Sequence, residues 1–209
     1  MTLITIPQLN QIIADRQLLP VVKSDNATKQ DQANFQLVMK QMFLGLPVEP
    51  LLKTHPHLGR WMRQMKKLAP ELFQPKRKLL IDTQVIAPLA ENAFIQVHTN
   101  IGFRRGIPRL YEWAVRRPKL NWRDKVKLWA ACEQYSISPQ LVQLIVLALH
   151  PSKPARKVKI SWSQDRHEQT QQWLSQVISQ SHEETPARSQ VEQSVLPLLD
   201  LESIPEVML

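Results

Sequence analysis

The chain has 209 residues, a length that suits one domain or one domain with tails, and 43% of the residues are hydrophobic. This apolar fraction is enough for a packed core, so global disorder is excluded. With four glycines and one cysteine, the sequence also excludes a glycine-rich phosphate loop, an internal disulfide and a multi-cysteine zinc site. Lys and Arg outnumber Asp and Glu by 27 to 18, which gives a net charge of +9.

The compartment is inferred from three features of the sequence. No apolar run approaches the roughly 18 residues of a membrane span. The N-terminus has no basic region before an apolar stretch, as a secretory signal would have. The single cysteine, Cys132, favours a reducing environment. We therefore expect a cytoplasmic protein without a transmembrane segment.

Charge is distributed unevenly along the chain. Residues 181–209 carry six acids and one base, a net charge of −5, so residues 1–180 carry +14. A basic body fits a polyanionic partner such as nucleic acid, although an anionic membrane surface or an acidic protein would also fit. The acidic stretch is expected to be a flexible tail, and its apolar end could serve as a docking peptide for a protein partner.

Amphipathic helices are predicted in the first third of the chain. Apolar spacing favours helices over 2–20, 35–44 and 58–68. Thr5 is placed to cap the first of them, Gly45 ends the second and Pro70 closes the third. The polar stretch 23–33 is expected to be a loop or a helix entry.

From Lys78 onwards, short β-prone stretches replace the helical spacing. Two strands joined by a connection at residues 88–92 predict a hairpin. Further strands are predicted over 109–115, 141–149 and 157–162, and helices over 122–134 and 164–179. The order favours an α+β fold with a small mixed sheet flanked by helices. We expect one domain over 1–180, helical to residue 75 and sheet-bearing from 76, with the tail at 181–209.

Few residues offer catalytic chemistry. The six histidines lack the spacing of metal ligands, so structural or surface roles are favoured for them. Cys132 is most simply a core residue. The cations form two clusters, at 53–78 and 104–127. Tryptophans interleave with the second cluster, where they could stack on bases or fill the core, and for each one the core is favoured: Trp113, Trp122 and Trp129.

Three stretches, 34–73, 121–140 and 159–178, resemble small bacterial RecB-like proteins of the PD-(D/E)XK nuclease superfamily. The resemblance covers about residues 5–178 and implies a restriction-endonuclease-like core. That family uses an Asp on one strand and an Asp/Glu-x-Lys on the next, with Mg²⁺ held by the two carboxylates. The resemblance places the first acid at Asn100, the second at Glu112 and the lysine at Ala114.

Only Glu112 keeps the residue type of the family. The sequence therefore favours a catalytically degenerate, nuclease-like domain that is not an enzyme, needs no cofactor and binds nucleic acid through a basic face. DNA and RNA are not distinguished. The expected phosphate contacts are five arginines: Arg104, Arg105, Arg116, Arg117 and Arg123.

Two alternatives stay open. The first is a scaffold or assembly factor that holds a protein partner, suggested by the acidic tail and by four helical methionines: Met39, Met42, Met62 and Met65. The second is a residual nuclease, in which Asp82 and Glu112 would together hold Mg²⁺.

Overall fold

The computed structural model describes residues 2–15, 26–74, 79–103, 109–115, 120–150 and 152–183. It confirms the predicted α+β class, because a mixed six-stranded sheet carries helices on both faces. Of the predicted tail, residues 181–183 belong to the last helix, and 184–209 lie outside the described residues. None of the described helices is long and apolar enough to cross a bilayer.

The N-terminus corrects the predicted helix over 2–20. Thr2–Thr5 form a strand, β1, and the helix α1 is described over Ile6–Asp15, while residues 16–20 of the predicted helix lie outside the described residues. The strand pairs in parallel with residues 93–96 of a later strand, a partner that local spacing cannot reveal. Thr5 still marks the helix start, since Gln8 Oε1 accepts hydrogen bonds from both its N–H and its hydroxyl, each at 2.8 Å.

Three helices follow: α2 (Asn26–Phe43), α3 (Glu49–Thr54) and α4 (Pro56–Leu68). The predicted helices at 35–44 and 58–68 are thereby confirmed, although α2 begins earlier and α3 was not predicted. Gly45 ends the second helical segment with a φ of +73°, a conformation that costs glycine little.

The sheet-forming part of the chain follows its predicted order. Its strands are β2 (Leu79–Ala90), β3 (Ala93–Phe103), β4 (Arg109–Val115), β5 (Gln143–Leu149) and β6 (Arg156–Ser161). The hairpin turn comprises only Glu91 and Asn92, because the residues from 88 to 90 stay paired in β2.

The last two helices are α5 (Trp122–Tyr135) and α6 (Gln164–Glu183). A capping box starts α5: Asn121 Oδ1 accepts from the Asp124 N–H at 3.0 Å, and Asp124 Oδ2 accepts from the Asn121 N–H at 3.1 Å. The run predicted as a strand over 141–149 is shorter, since Pro139–Leu141 form a 3₁₀ turn before β5 begins.

Strand β3 organises the sheet. It pairs with β2 along one side, and with β1 and then β4 on the other. The described register between β3 and β4 is a single pair, Ile101 with Tyr111. Beyond it, β4 and β5 run parallel, and β6 is an edge strand that pairs with β5.

Two cores lie on opposite faces of the sheet. On one face, α1, α5 and α6 cover apolar side chains that include Trp129, Val146 and Leu174. On the other face, α2 and α4 cover a core that includes Trp61 and Leu147. We call these the α5 face and the α4 face. Along β4 the side chains alternate, so Leu110 faces one core while Tyr111 faces the other.

Candidate functional site

Asn100, the position expected to hold a metal-binding acid, takes part in the sheet. Its Oδ1 accepts a hydrogen bond of 2.9 Å from the backbone N–H of Trp113 on β4. This contact joins β3 to β4 close to their one backbone pair. The side chain therefore does what a ladder hydrogen bond does elsewhere in a sheet, and this bond takes one of the two lone pairs of its carbonyl oxygen.

Glu112 lies on β4 and is paired with a cation. Lys127 Nζ of α5 lies 2.8 Å from Glu112 Oε2, and the two side chains are 12% and 14% exposed. The contact is a charge–charge contact rather than a directed hydrogen bond, because no donor among the described residues meets this oxygen in hydrogen-bonding geometry. The cation beside Glu112 therefore comes from helix α5 and not from strand β4, where the sequence resemblance led us to expect a lysine position at Ala114.

Asp82 is held away from Glu112. Its backbone has a φ of +54°, and its exposed carboxylate lies 2.8 Å from Lys40 Nζ of α2 and 4.0 Å from the His98 ring. Since α2 covers the α4 face and Lys127 comes from the α5 face, the two carboxylates contact helices on opposite sides of the sheet.

These residues do not fit a Mg²⁺ site. The ion prefers several oxygen ligands in octahedral geometry. Here Asn100 is bonded to Trp113, and Glu112 is neutralised by Lys127. Among the described residues, no group of three or more His, Cys, Asp or Glu side chains is placed to hold a metal ion.

The three tryptophans that interleave with the second basic cluster lie in the protein interior. Trp113 and Trp129 are 2% and 0% exposed, and Trp122 packs against Trp173 with ring centroids 6.0 Å apart. Their favoured interpretation as core residues is confirmed for Trp113 and Trp129, while Trp122 is half-buried and packs against the core. The methionines are core residues as well: Met39 and Met65 are fully buried, and Met42 and Met62 pack against the same cluster.

Of the five arginines expected to contact phosphate, only Arg123 is described. It is exposed, its Nη2 donates to Asn10 Oδ1 of α1 at 2.8 Å, and its guanidinium lies 5.4 Å from the Trp122 ring centre. These contacts tie α5 to α1. The other four lie outside the described residues: Arg104, Arg105, Arg116 and Arg117.

A basic surface is formed instead by the outer side of α4. Helix α4 contains no acid, and its exposed side chains include four cations: Arg60, Arg63, Lys66 and Lys67. We call these four residues the basic surface. No acid among the described residues forms an ion pair with the last three of them. Lys66 Nζ lies 5.8 Å from the centre of the Phe73 ring.

Strand β6 adds charge beside the C-terminal end of α4. Side chains alternate along the strand, and Val158 and Ile160 face the core of the α5 face. Lys157 and Lys159 therefore lie on the α4 side. Lys157 Nζ donates to Glu71 Oε1 at 2.8 Å, and the buried Tyr111 hydroxyl donates to the same oxygen at 2.9 Å. Burial raises the pKa of Glu71, but the hydrogen bonds, led by that from Lys157, outweigh it and hold the pKa below its ordinary value.

A histidine, a cysteine and a glutamate also meet between α5 and α6. His167 Nε2 lies 2.9 Å from Glu133 Oε1, and the His167 ring is stacked on Trp129. Cys132, Glu133 and His167 all line a small cavity of about 290 Å³. Burial, and then the charge of Glu133, raise the pKa of the Cys132 thiol to about 12. A thiol of this kind is not an activated nucleophile, which agrees with a core role.

The basic surface has a local signal in the sequence. The cations of 58–68 are spaced so that one side of the helix is apolar and the other is charged. The partnership of Glu112 with Lys127 had no such signal, since the two residues come from different elements.

No protein-family model matches the sequence, and no curated protein matches it. Among solved structures, the protein called SSO0001 is 10% identical, with 82% of this chain and 84% of that chain covered and a TM-score of 0.38. A chain named "Putative exonuclease" from Eubacterium rectale is 6% identical, with coverage of 84% and 74% and a TM-score of 0.48. Both scores lie below 0.5, so neither likeness assigns a family or an activity to this chain.

Proposed function

We propose that this domain binds nucleic acid through the basic surface of α4 and does not cleave it. The observation that carries the proposal is a helix with four exposed cations and no acid, on a chain whose first 180 residues have a net charge of +14. Clustered Lys and Arg side chains on one face bind phosphates by charge and release counterions as they do so. The sequence resemblance to a nuclease superfamily supports the same class of partner.

We propose that the domain does not cleave nucleic acid because Asn100 and Glu112, the two expected site residues that have side-chain oxygens, are engaged in other contacts. Asn100 supplies its oxygen to the sheet, and Glu112 faces a lysine that a metal ion would have to displace. Displacing that ammonium would leave a second charge without a partner in a site that is nearly closed to water, which is unfavourable.

The test is binding to labelled single- and double-stranded DNA and RNA across a salt series, with and without Mg²⁺, with cleavage followed in the same samples. The test variant is the double reversal Arg63→Glu/Lys67→Glu. The matched control is Lys125→Glu/Arg166→Glu, which makes the same change in net charge at exposed positions on the α5 face. Thermal unfolding of both variants checks that they fold.

We expect affinity to fall steeply with salt, and the test variant to lose at least about tenfold more affinity than the control. Equal losses in the two variants would show that net charge, and not this helix, governs binding. Absence of binding at low salt would overturn the proposal and favour the protein-scaffold alternative. Cleavage that needs Mg²⁺ and disappears in Glu112→Gln would overturn the claim that the domain is inactive.

A further inference from the structure

Among the residues whose side chains the structure describes, no exposed Trp, Tyr or Phe ring lies on α4. The sequence contains six Trp, two Tyr and five Phe. All six tryptophans are buried or half-buried, and among the described aromatic residues only Tyr135 is exposed, on α5 of the other face. The Phe73 ring, which Lys66 covers, is half-buried and packs against Phe43 with ring centroids 5.6 Å apart.

The cations of α4 are held on a rigid support. Leu58, Trp61 and Met65 on the inner side of the helix are all 0% exposed. Trp61 Nε1 also donates to the backbone oxygen of His150 at 3.1 Å, which fastens the helix over the end of β5. The helix that carries the charges is therefore fixed in place before any ligand arrives. On binding, only the flexible tips of the charged side chains have to be ordered.

The spacing of these charges suits a regular array of phosphates. Arg60, Arg63 and Lys67 follow at i, i+3 and i+7, which spreads them over about 10 Å of helix axis. Lys159 adds an exposed cation on a second fixed element beside the helix end, whereas the charge of Lys157 is paired with Glu71. A duplex presents its phosphates at fixed spacing, whereas a single strand has to be ordered first, and that cost is usually offset by stacking its bases on aromatic side chains.

We infer that the basic surface binds duplex nucleic acid through its phosphates alone, without base contacts and without sequence preference, in preference to single strands. This inference rests on the proposed function. It adds the form of the ligand, and it places the contact on the α4 face, whereas Glu112 lies on the α5 face.

The experiment compares a mixed-sequence DNA duplex of about 20 base pairs with its separated strands, with a shuffled duplex of equal composition and with an RNA duplex of the same sequence. Dissociation constants are measured by fluorescence anisotropy at several salt concentrations for the full chain. We expect the duplex to bind at least about tenfold more tightly than either strand, and the shuffled duplex to bind within about twofold of the original. The RNA arm shows whether A-form and B-form duplexes are both accepted.

Two variants make the inference specific. Arg63→Glu/Lys67→Glu removes two phosphate contacts, so the slope of log affinity against log salt for the duplex should fall by about 2. Tyr135→Ala should leave all affinities unchanged, because this exposed ring lies on α5, on the other face. Equal or tighter binding of single strands, or a preference between the two duplex sequences beyond about tenfold, would overturn the inference and leave the proposed function standing. Failure to bind any of the ligands would instead overturn the proposed function.

Discussion

The two faces of the sheet use their charges in opposite ways. On the α4 face, the cations of one helix point to solvent, and three of them have no acidic partner among the described residues. On the α5 face, Lys127 points inward to Glu112 and Arg123 is bonded to α1, while Lys125 and Arg166 are exposed. The sequence is more densely basic over residues 104–127 than over 53–78. Since Lys127 of that stretch is paired with an internal acid, a cation in the sequence is not by itself a charge offered to a ligand.

The largest expected effect is a loss of folding stability when the packing beneath helix α4 is removed. Trp61→Ala removes a fully buried ring that meets Phe35 edge-on at 5.5 Å, and it also removes the hydrogen bond to His150. We expect a loss of about 3–5 kcal/mol in the free energy of unfolding, together with weaker nucleic-acid binding. Urea denaturation measures the free energy of unfolding, and fluorescence anisotropy measures the affinity for nucleic acid. Trp122→Ala, at a half-buried ring of the α5 face, should cost less and spare binding, and a loss of binding there would contradict the assignment.

The next effect concerns the internal ion pair of the α5 face. Lys127→Met leaves the Glu112 carboxylate nearly buried beside an apolar side chain, at a cost of about 2 kcal/mol in unfolding free energy. The double variant Lys127→Met/Glu112→Gln should recover most of this loss, because it removes the stranded charge as well. Denaturation of the two single variants and the double variant forms a thermodynamic cycle. Additive losses would show that the pair is not coupled.

A smaller effect is expected at the start of α5. Asn121→Ala deletes the side chain that accepts from the Asp124 N–H, with an expected loss of about 1 kcal/mol. Asn121→Ser keeps a capping oxygen and should lose only a fraction of this. Neither variant should change nucleic-acid affinity, since the helix lies on the α5 face. A reduced affinity in both would place the binding surface there instead.

The smallest expected effect is a loss of folding stability at acid pH, caused by protonation of Glu71 on the α4 face. The pKa of Glu71 lies below its ordinary value of 4.5 in the folded protein, so its ionised form stabilises the fold above that value. This stabilisation is lost as the pH falls through the folded pKa. Urea denaturation at about pH 6 and about pH 3 should therefore show a difference between the wild type and Glu71→Gln that shrinks on acidification. A difference that stays constant would mean that the contacts of Glu71 do not depend on its charge.

Much of the fold was predictable because its signals are local. The apolar spacing of α4, the Asn121 cap and the alternation in β6 each lie within a few neighbouring residues. Strand β1 was missed since four residues before a helix give no spacing to recognise, and its partner lies about 90 residues further along the chain. Helix α3 was missed for a similar reason, as it is only six residues long and has no buried side chain.

By itself, the sequence determined the class of the fold, the excess of positive charge, and the replacement of two of the three expected catalytic groups by Asn100 and Ala114. These are properties of residue type and of short-range order. The tertiary structure alone decided that Lys127 meets Glu112, that Asn100 bonds β4, and that four cations of α4 are exposed together on the outer side of that helix. The physical reason is that a charge acts through its distance to other charges and to water, and chain folding sets both distances.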